Sequence, residues 1–374
     1  MKKKILMVNS CLGLYGGVES FLLNIFRYLD KDEFSVTLLT CGISTYDMFR
    51  DEIIASGGKI DIIPIYPNTL KKQMRLYQEL RRYYEFEKPD IVHINSGGLS
   101  FHLIAGKAAR TAGISHIILH SHNFVPGENS AKRTIKRILK KSIPKLGNTY
   151  LACSTGAAKW IFPEKLVDRG LVEIIPNGID TRKFAYDKNK RNSFRTELGL
   201  DKELVIGNIG RFQPQKNHRF VIRILKEVVK ILPDAKLLLA GKGELQSEIE
   251  QYVDSLKLRE NIIFLGERKD MECLLSAIDI FILPSLHEGL PIAAIEAQAA
   301  GAVVILANTI STETNVTGKA LYLPIQDNQD EKLWAKKICE SYEYDRCVYA
   351  KEVANAGYDI ENYCNRMEHI YREV

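Results

Sequence analysis

The sequence predicts an α/β protein built from two Rossmann-like parallel sheets. Three observations carry this. Short apolar runs, each the length of a buried strand, alternate with longer stretches of helical periodicity. The alternation runs through the first half and starts again in the second, without an alignable sequence repeat. The length, 374 residues, suits two or three domains with ample core. Such alternation makes a parallel sheet with right-handed crossovers, and ligands then bind beyond the carboxyl ends of the strands.

In chain order, the first strand is Lys3–Ser10. A turn from Cys11 to Gly17 follows, then an amphipathic helix from Val18 to about Leu29. Strand, glycine-rich turn and helix form a cradle in which bare backbone lets an anion or substrate come close. The next strand, Phe34–Cys41, ends at Cys41-Gly42 with no acid to hold a ribose, which counts against a dinucleotide site. Strands at Lys59–Ile65, Asp90–Asn95, Ile114–His120, Thr149–Ser154 and Val172–Ile175 follow. Helices at Asn68–Phe86, Ser100–Ala112 and Ser130–Ser142 lie between most of them. Pro176-Asn177-Gly178 is a turn, and a charged, loop-like segment runs on to about Arg191.

The second half places strands at Leu204–Ile209, Lys236–Ala240, Ile262–Leu265, Ile278–Leu283, Val303–Leu306 and Ala320–Leu323. Helices are expected near Asn217–Ile231, Glu244–Leu256, Met271–Ala277, Pro291–Ala300 and Asp330–Tyr342. The tail from Asp359 to Val374 is amphipathic through Ile360, Tyr363, Met367, Ile370 and Tyr371. The expected division is residues 1–190 with the tail 358–374 in one domain, and 191–357 in the other.

Composition narrows the function. Hydrophobic content of 45% and charged content of 26% are ordinary for a soluble globular protein. No signal peptide and no membrane-spanning run are read, so a cytoplasmic protein is expected. The seven cysteines are scattered, odd in number and form no CxxC pair, against a disulfide framework or a zinc site. The net charge of +6 suits anionic partners. From Lys132 to Lys145 seven basic residues occur without an acid, and Ile135, Ile138 and Leu139 share a helical face. That pattern suits a helix lying on an anionic membrane surface. It lacks the interleaved aromatics of a single-strand nucleic-acid binder.

The most informative stretch is Ile280–Gly301. A buried strand ends at Pro284-Ser285, and a short loop carries His287, Glu288 and Gly289. Pro291 suits the first turn of a helix, and Gly301 a stop. The start of that helix favours an anion. Acids beside an anion site fit a ligand that also carries hydroxyls, since a carboxylate accepts two hydrogen bonds from a diol. Sugar plus phosphate is the simplest such ligand. Upstream, Arg211 and Lys216 lie across one loop at a strand end, and two cations there suit a diphosphate.

Glu288 and Glu296 in their EGLPxxxxE setting, the Gly210-Arg211…Lys216-Asn217 run, the Gly16–Glu19 loop and the Pro176–Asp180 turn resemble the retaining glycosyltransferases of family four. These have the two-domain GT-B fold. The resemblance implies two domains facing a central cleft, with the last helix crossing back near Tyr358 onto the first, acceptor-binding domain. The donor would be a nucleoside-diphosphate sugar, a UDP-sugar, in the second domain. The acceptor would be the hydroxyl of a lipid-linked glycan in exopolysaccharide or capsule synthesis. Arg211 and Lys216 would hold the diphosphate, Glu288 with Gly289 and Leu290 the sugar, Glu296 the ribose diol, and Arg268 the base. Gly16 and Gly17 would line the cleft. The motif phase puts His120 beside the transferred sugar, with His122 as the alternative. An imidazole there can bond a hydroxyl and titrates near neutrality.

The catalytic set is then His120, Glu288, Arg211 and Lys216, retaining the anomeric configuration without metal or cofactor. Asp30-Lys31-Asp32 is formally a DxD but sits at a helix end, away from the strand termini. The chain departs from the family in the loop Asn308–Glu313, where a Gly-Gly pair is common. That loop can border the sugar, so donor identity stays open. A sugar-nucleotide epimerase of the same shape would need further acids and bases, which are not found. A sugar-nucleotide-binding regulator would keep Arg211, Lys216 and Glu296 but need not keep His120 or Glu288.

Overall fold

The structure, a computed structural model, describes residues 2–12, 17–43, 46–122, 130–326, 329–341 and 349–374. The chain forms two compact units, Met1–Gly178 with Ile360–Val374, and Ile179–Asp359.

The first unit carries a seven-stranded parallel sheet: β1 Lys3–Leu12, β2 Phe34–Ile43, β3 Lys59–Ile63, β4 Ile91–Ser96, β5 His116–Ser121, β6 Thr149–Ala152 and β7 Val172–Ile174, in the order β3-β2-β1-β4-β5-β6-β7. Its central strands are apolar because both faces are covered. Ile5 of β1 lies opposite Val36 on one side and Ile91 on the other, and all three are buried. The order reverses between β1 and β4, so their carboxyl ends flank the switch point where ligands bind.

The tail helix, Ile360–Arg372, belongs to this unit. It buries Ile360, Tyr363, Met367, Ile370 and Tyr371, at about 1.5–3 kcal/mol for each large side chain taken out of water. Its C-terminus is held by Lys3, whose Nζ donates to the carbonyls of Tyr371 at 2.8 Å and Val374 at 2.7 Å. A cation there also complements the helix dipole. Glu368 accepts from the Asp30 amide at 2.8 Å, so the Asp30–Asp32 segment is a helix-end turn pinned by the tail.

The second unit carries six parallel strands: β8 Val205–Ile209, β9 Lys236–Ala240, β10 Ile262–Gly266, β11 Ile280–Leu283, β12 Val303–Ala307 and β13 Leu321–Leu323, in the order β10-β9-β8-β11-β12-β13. Its switch point falls between β8 and β11.

The sequence reading divided the domains at residue 190; the compact units divide after Gly178. The segment between packs with the second unit. Ile179 donates its amide to the Tyr358 carbonyl at 2.8 Å and bridges in parallel to Asp359. The stretch read as loop to about Arg191 becomes helical at Lys188–Glu197, because Asp187 caps it by accepting from the amides of Asn189 and Lys190. Arg191 and Arg195 of this helix reach Asp279, which also accepts from the Val205 amide. Short helices at Arg50–Ala55, Thr155–Ile161 and Glu164–Asp168 escaped the periodicity, being too brief to show a full amphipathic repeat.

Candidate active site

In the second unit the loops at the strand ends are sewn together. Gly210 donates to the Ala240 carbonyl, and Phe212 exchanges hydrogen bonds with Lys242 and Leu245. Such close approach needs the glycines of the Gly241-Lys242-Gly243 turn. A Cβ on Gly241 would stand 2.2 Å from the Gly210 oxygen, and one on Gly243 2.5 Å from that of Phe212.

The loop after β8 then meets the loop after β11. Lys216 Nζ pairs with Glu288 Oε1 at 2.6 Å. Gln215 Nε2 donates to the His287 carbonyl at 2.8 Å and to Glu288 Oε2 at 3.3 Å. Leu286 donates to Gln215 O at 2.8 Å, and Asn217 to Pro284 O at 3.2 Å. Thr309, from the loop after β12, donates to the Ser285 carbonyl at 2.7 Å. Glu288, Gly289 and Leu290 are buried, and Arg211 is half-buried in the same loop as Lys216. So a cation and a carboxylate meet at the switch point, with Arg211 in the same loop, beside the start of the helix Ile292–Ala299. Gln215 and Thr309 went unnoticed in the sequence because nothing local marks them as loop clamps.

Glu296 lies inside that helix and is buried. Burial pushes its carboxyl up to about 7, with Lys183 opposing the shift and Glu272 adding to it. Lys183 Nζ stands 3.4 Å from Glu272 Oε2. A diol donates hydrogen bonds, so the ionised carboxylate is the better acceptor. Affinity for a ligand whose diol is held by Glu296 is expected to rise by up to about tenfold per pH unit below 7 and flatten above it. Titration calorimetry from about pH 5.5 to 8.5 checks this, with Glu296→Gln expected to remove the slope.

Arg268, expected at the base, pairs with neighbouring acids. Its guanidinium closes on both carboxylate oxygens of Asp270 at 2.8 and 2.7 Å, reaches Glu197 at 3.4 Å and covers the Phe194 ring. These contacts fasten the turn after β10 to the Lys188–Glu197 helix.

In the first unit the polar groups cluster at the ends of β1, β4 and β5. Asn9 donates to Glu19 at 3.0 Å and accepts from Thr40, so the Glu19 of the glycine-rich loop is anchored inside. Gly16 lies outside the described residues; Gly17 opens the helix Gly17–Tyr28. His120, expected beside the sugar, is fully buried, whereas His122 keeps 8% of its surface. Their rings are 4.1 Å apart. Burial, then the neighbouring histidines, hold both imidazoles well below their ordinary pKa, so neither titrates near neutrality as its residue type suggested. Nε2 of His120 and Nδ1 of His122 have no hydrogen-bond partner among the described residues. Each such group costs about 1–3 kcal/mol, and such costs gather where function requires them.

The basic helix runs from Ser130 to Lys140. Lys136 lies over the Trp160 ring, and Lys140 Nζ donates to the Lys159 carbonyl at 2.6 Å. Its aliphatic residues face solvent: Ile135 is 60% exposed, Ile138 59% and Leu139 44%. Among the described residues no helix is long and apolar enough to cross a membrane.

Residues 15–183 match the family model described as Glycosyltransferase Family 4, and residues 190–344 the one described as Glycosyl transferases group 1. The chain is 28% identical over 379 residues to the putative glycosyltransferase EpsF of Bacillus subtilis (strain 168), covering 99% of this chain and 96% of the relative. It is 29% identical over 304 residues to the UDP-Gal:alpha-D-GlcNAc-diphosphoundecaprenol alpha-1,3-galactosyltransferase of Escherichia coli, covering 79% and 77%. Among solved structures it superposes on Anabaena HepE in complex with UDP-glucose with a TM-score of 0.76 at 18% identity, covering 99% of this chain and all of that one. WaaG, a glycosyltransferase involved in lipopolysaccharide biosynthesis, gives 0.71 at 13%, covering 98% and 99%.

Proposed function

The chain belongs to glycosyltransferase family 4 and has its GT-B fold, and from that premise we propose that it transfers a hexosyl group from a UDP-sugar to a hydroxyl of a lipid-linked glycan. The observation that carries this is the Lys216–Glu288 pair at the β8/β11 switch point, with Arg211 in the same loop. A sugar nucleotide has a diphosphate for the cations and hydroxyls for the carboxylate.

In this reading Arg211 and Lys216 offset the charge that grows on the departing diphosphate, commonly the largest catalytic contribution. The start of the Ile292–Ala299 helix adds to it. Glu288 and the adjoining Gly289-Leu290 backbone hold the sugar, Glu296 holds the ribose diol, and the His120–His122 pair steadies the transferred ring. The bond from the anomeric carbon to the diphosphate breaks and one to the acceptor oxygen forms on the same face. The acceptor proton leaves with the diphosphate. Glu288 and Glu296 are both occupied as binding groups, so neither serves as the nucleophile of a glycosidase-type double displacement.

Support for the donor and acceptor classes comes from the E. coli relative, whose name gives UDP-Gal and a diphosphoundecaprenol glycan, and from HepE with UDP-glucose. A peripheral position on an anionic membrane is supported by the exposed Ile135, Ile138 and Leu139 beside the basic residues. The test is a panel of UDP-, GDP- and ADP-sugars scored for binding and for release of nucleoside diphosphate. A UDP-sugar should bind and be turned over with a lipid-linked acceptor; binding of none would remove the proposal. Flotation with vesicles containing anionic lipid should fail once Arg133, Lys136, Arg137 and Lys140 are changed to Glu. Unchanged flotation would end the membrane part.

A further inference from the structure

We infer that Tyr371, His93 and Asn95 are positioning residues that fix the ring protons of His120 and His122, so that the pair presents one N–H donor and one bare nitrogen, side by side, to a single sugar hydroxyl. This rests on the role proposed above for the two imidazoles.

The first relay starts on the tail helix. The Tyr371 hydroxyl lies 2.8 Å from Nδ1 of His93, and both side chains are fully buried. A buried hydroxyl must place its one proton, and this nitrogen is where it can go, so Tyr371 donates. His93 then carries its own proton on Nε2, which is 3.2 Å from Nδ1 of His120 and donates to it. His120 Nδ1 is thereby an acceptor, and its proton sits on Nε2, the nitrogen without a partner among the described residues.

The second relay is independent. Asn95 Nδ2 donates to the His93 carbonyl at 3.0 Å, which settles the amide's orientation. Its Oδ1 then faces Nε2 of His122 at 2.9 Å, and that nitrogen must be the donor. His122 Nδ1 is left with a lone pair and no well-formed hydrogen bond among the described residues; the Asn177 side chain, whose Oδ1 is also unpaired, lies within reach of this ring and competes for it. The two rings therefore have the same tautomer but offer opposite ends. Both are neutral, because burial and the adjacent histidines disfavour the imidazolium. A hydroxyl is donor and acceptor at once, and it satisfies His122 Nδ1 and His120 Nε2–H together. The residual exposure of His122 marks the side of approach.

The test uses the full chain labelled with ¹⁵N-histidine. At about pH 7.5, above the ordinary histidine range, His93, His120 and His122 should each show a protonated Nε2 and a bare Nδ1. A coupling across the N–H···N bond should link His93 with His120. His93→Leu should lower kcat by about tenfold with the donor KM held within about twofold. His93→Gln, whose amide can donate to His120 Nδ1, should recover kcat to within about threefold. A proton found on Nδ1 of His120 or His122 overturns the inference, as does equal loss in the Leu and Gln variants. If the Leu variant does not fold, the wild-type spectrum decides. Full turnover in both His120→Ala and His122→Ala would remove the hydroxyl reading, and the spectra would still report the ring protons. Failure of the donor proposal shows separately, as absence of UDP-sugar binding with those spectra unchanged.

Discussion

Lys216→Ala is expected to lower the rate of nucleoside-diphosphate release by about two to three orders of magnitude, the loss typical for removing a preorganised charge from a developing anion. Two effects combine. The cation that offsets the leaving diphosphate is gone. Glu288, which it neutralises at 2.6 Å, then faces the incoming anion with only the long contact from Gln215. Donor affinity should fall as well. Lys216→Arg should recover only part of either quantity, since a planar fork does not reproduce a point charge whose stem lies against Gly210. Adding Glu288→Gln to Lys216→Ala separates the causes. If Glu288 merely balances charge, the double variant regains donor binding, and turnover recovers only to the level set by the missing cation. If it also holds the sugar, binding recovers less and turnover falls below that of Lys216→Ala. Calorimetry with UDP-glucose and a coupled assay of UDP release measure the two. A Lys216→Ala rate within about twofold of wild type would leave the switch-point assignment without support.

The second large effect is acid instability of the first unit. His93, His102, His120 and His122 are all buried there, and burial is the leading cause that lowers the pKa of each, to about 3 for His93. A depressed pKa contributes stability that is present above the unfolded value near 6.5 and is lost as the pH falls toward the folded value. Each neutral imidazole can contribute up to about 1.4 kcal/mol per pH unit in that window. His102 is the weakest of the four, because its two ring nitrogens face the carbonyls of Gly98 and His120, which favour the charged form.

All four act in the same direction as the pH falls below about 6.5. The second unit has a term of opposite sign. Glu296 has a raised pKa, so its contribution is full below 4.5 and is lost as the pH rises through about 7. Mild acid therefore weakens the first unit through its histidines while Glu296 works the other way in the second. Scanning calorimetry at about pH 7.5, 6.5 and 5.5 should show one transition moving down steeply and separating from another that moves less. Coincident transitions at all three values would refute the neutral assignment of the histidine cluster.

Much of this was legible in the chain. Strand ends at Leu283, Ile209 and His120, the glycine turn after Ile209 and the basic helix follow from local periodicity and turn chemistry, and each lies where it was expected to within a few residues. What local reading missed has a common cause. Lys188–Glu197 is too charged to show an apolar stripe, and the burial of Phe194 and Arg195 decides it. Arg268 is placed at the base by resemblance, and its pairing with Asp270 and Glu197 is not visible locally. His120 reads as a titrating imidazole until the sheet, Phe21 and the neighbouring histidines enclose it.

The sequence by itself determined the two parallel sheets and the loops that hold the candidate site residues, because hydrophobic period and glycine placement act over a few residues at a time. Only the tertiary structure decided which polar groups meet. Lys216 and Glu288 are 72 residues apart, and His93 and Tyr371 are 278 apart. Nothing local encodes either pairing. Both exist because strand order sets two distant loops side by side, and because an amphipathic tail buries its apolar face on the sheet where the chain began.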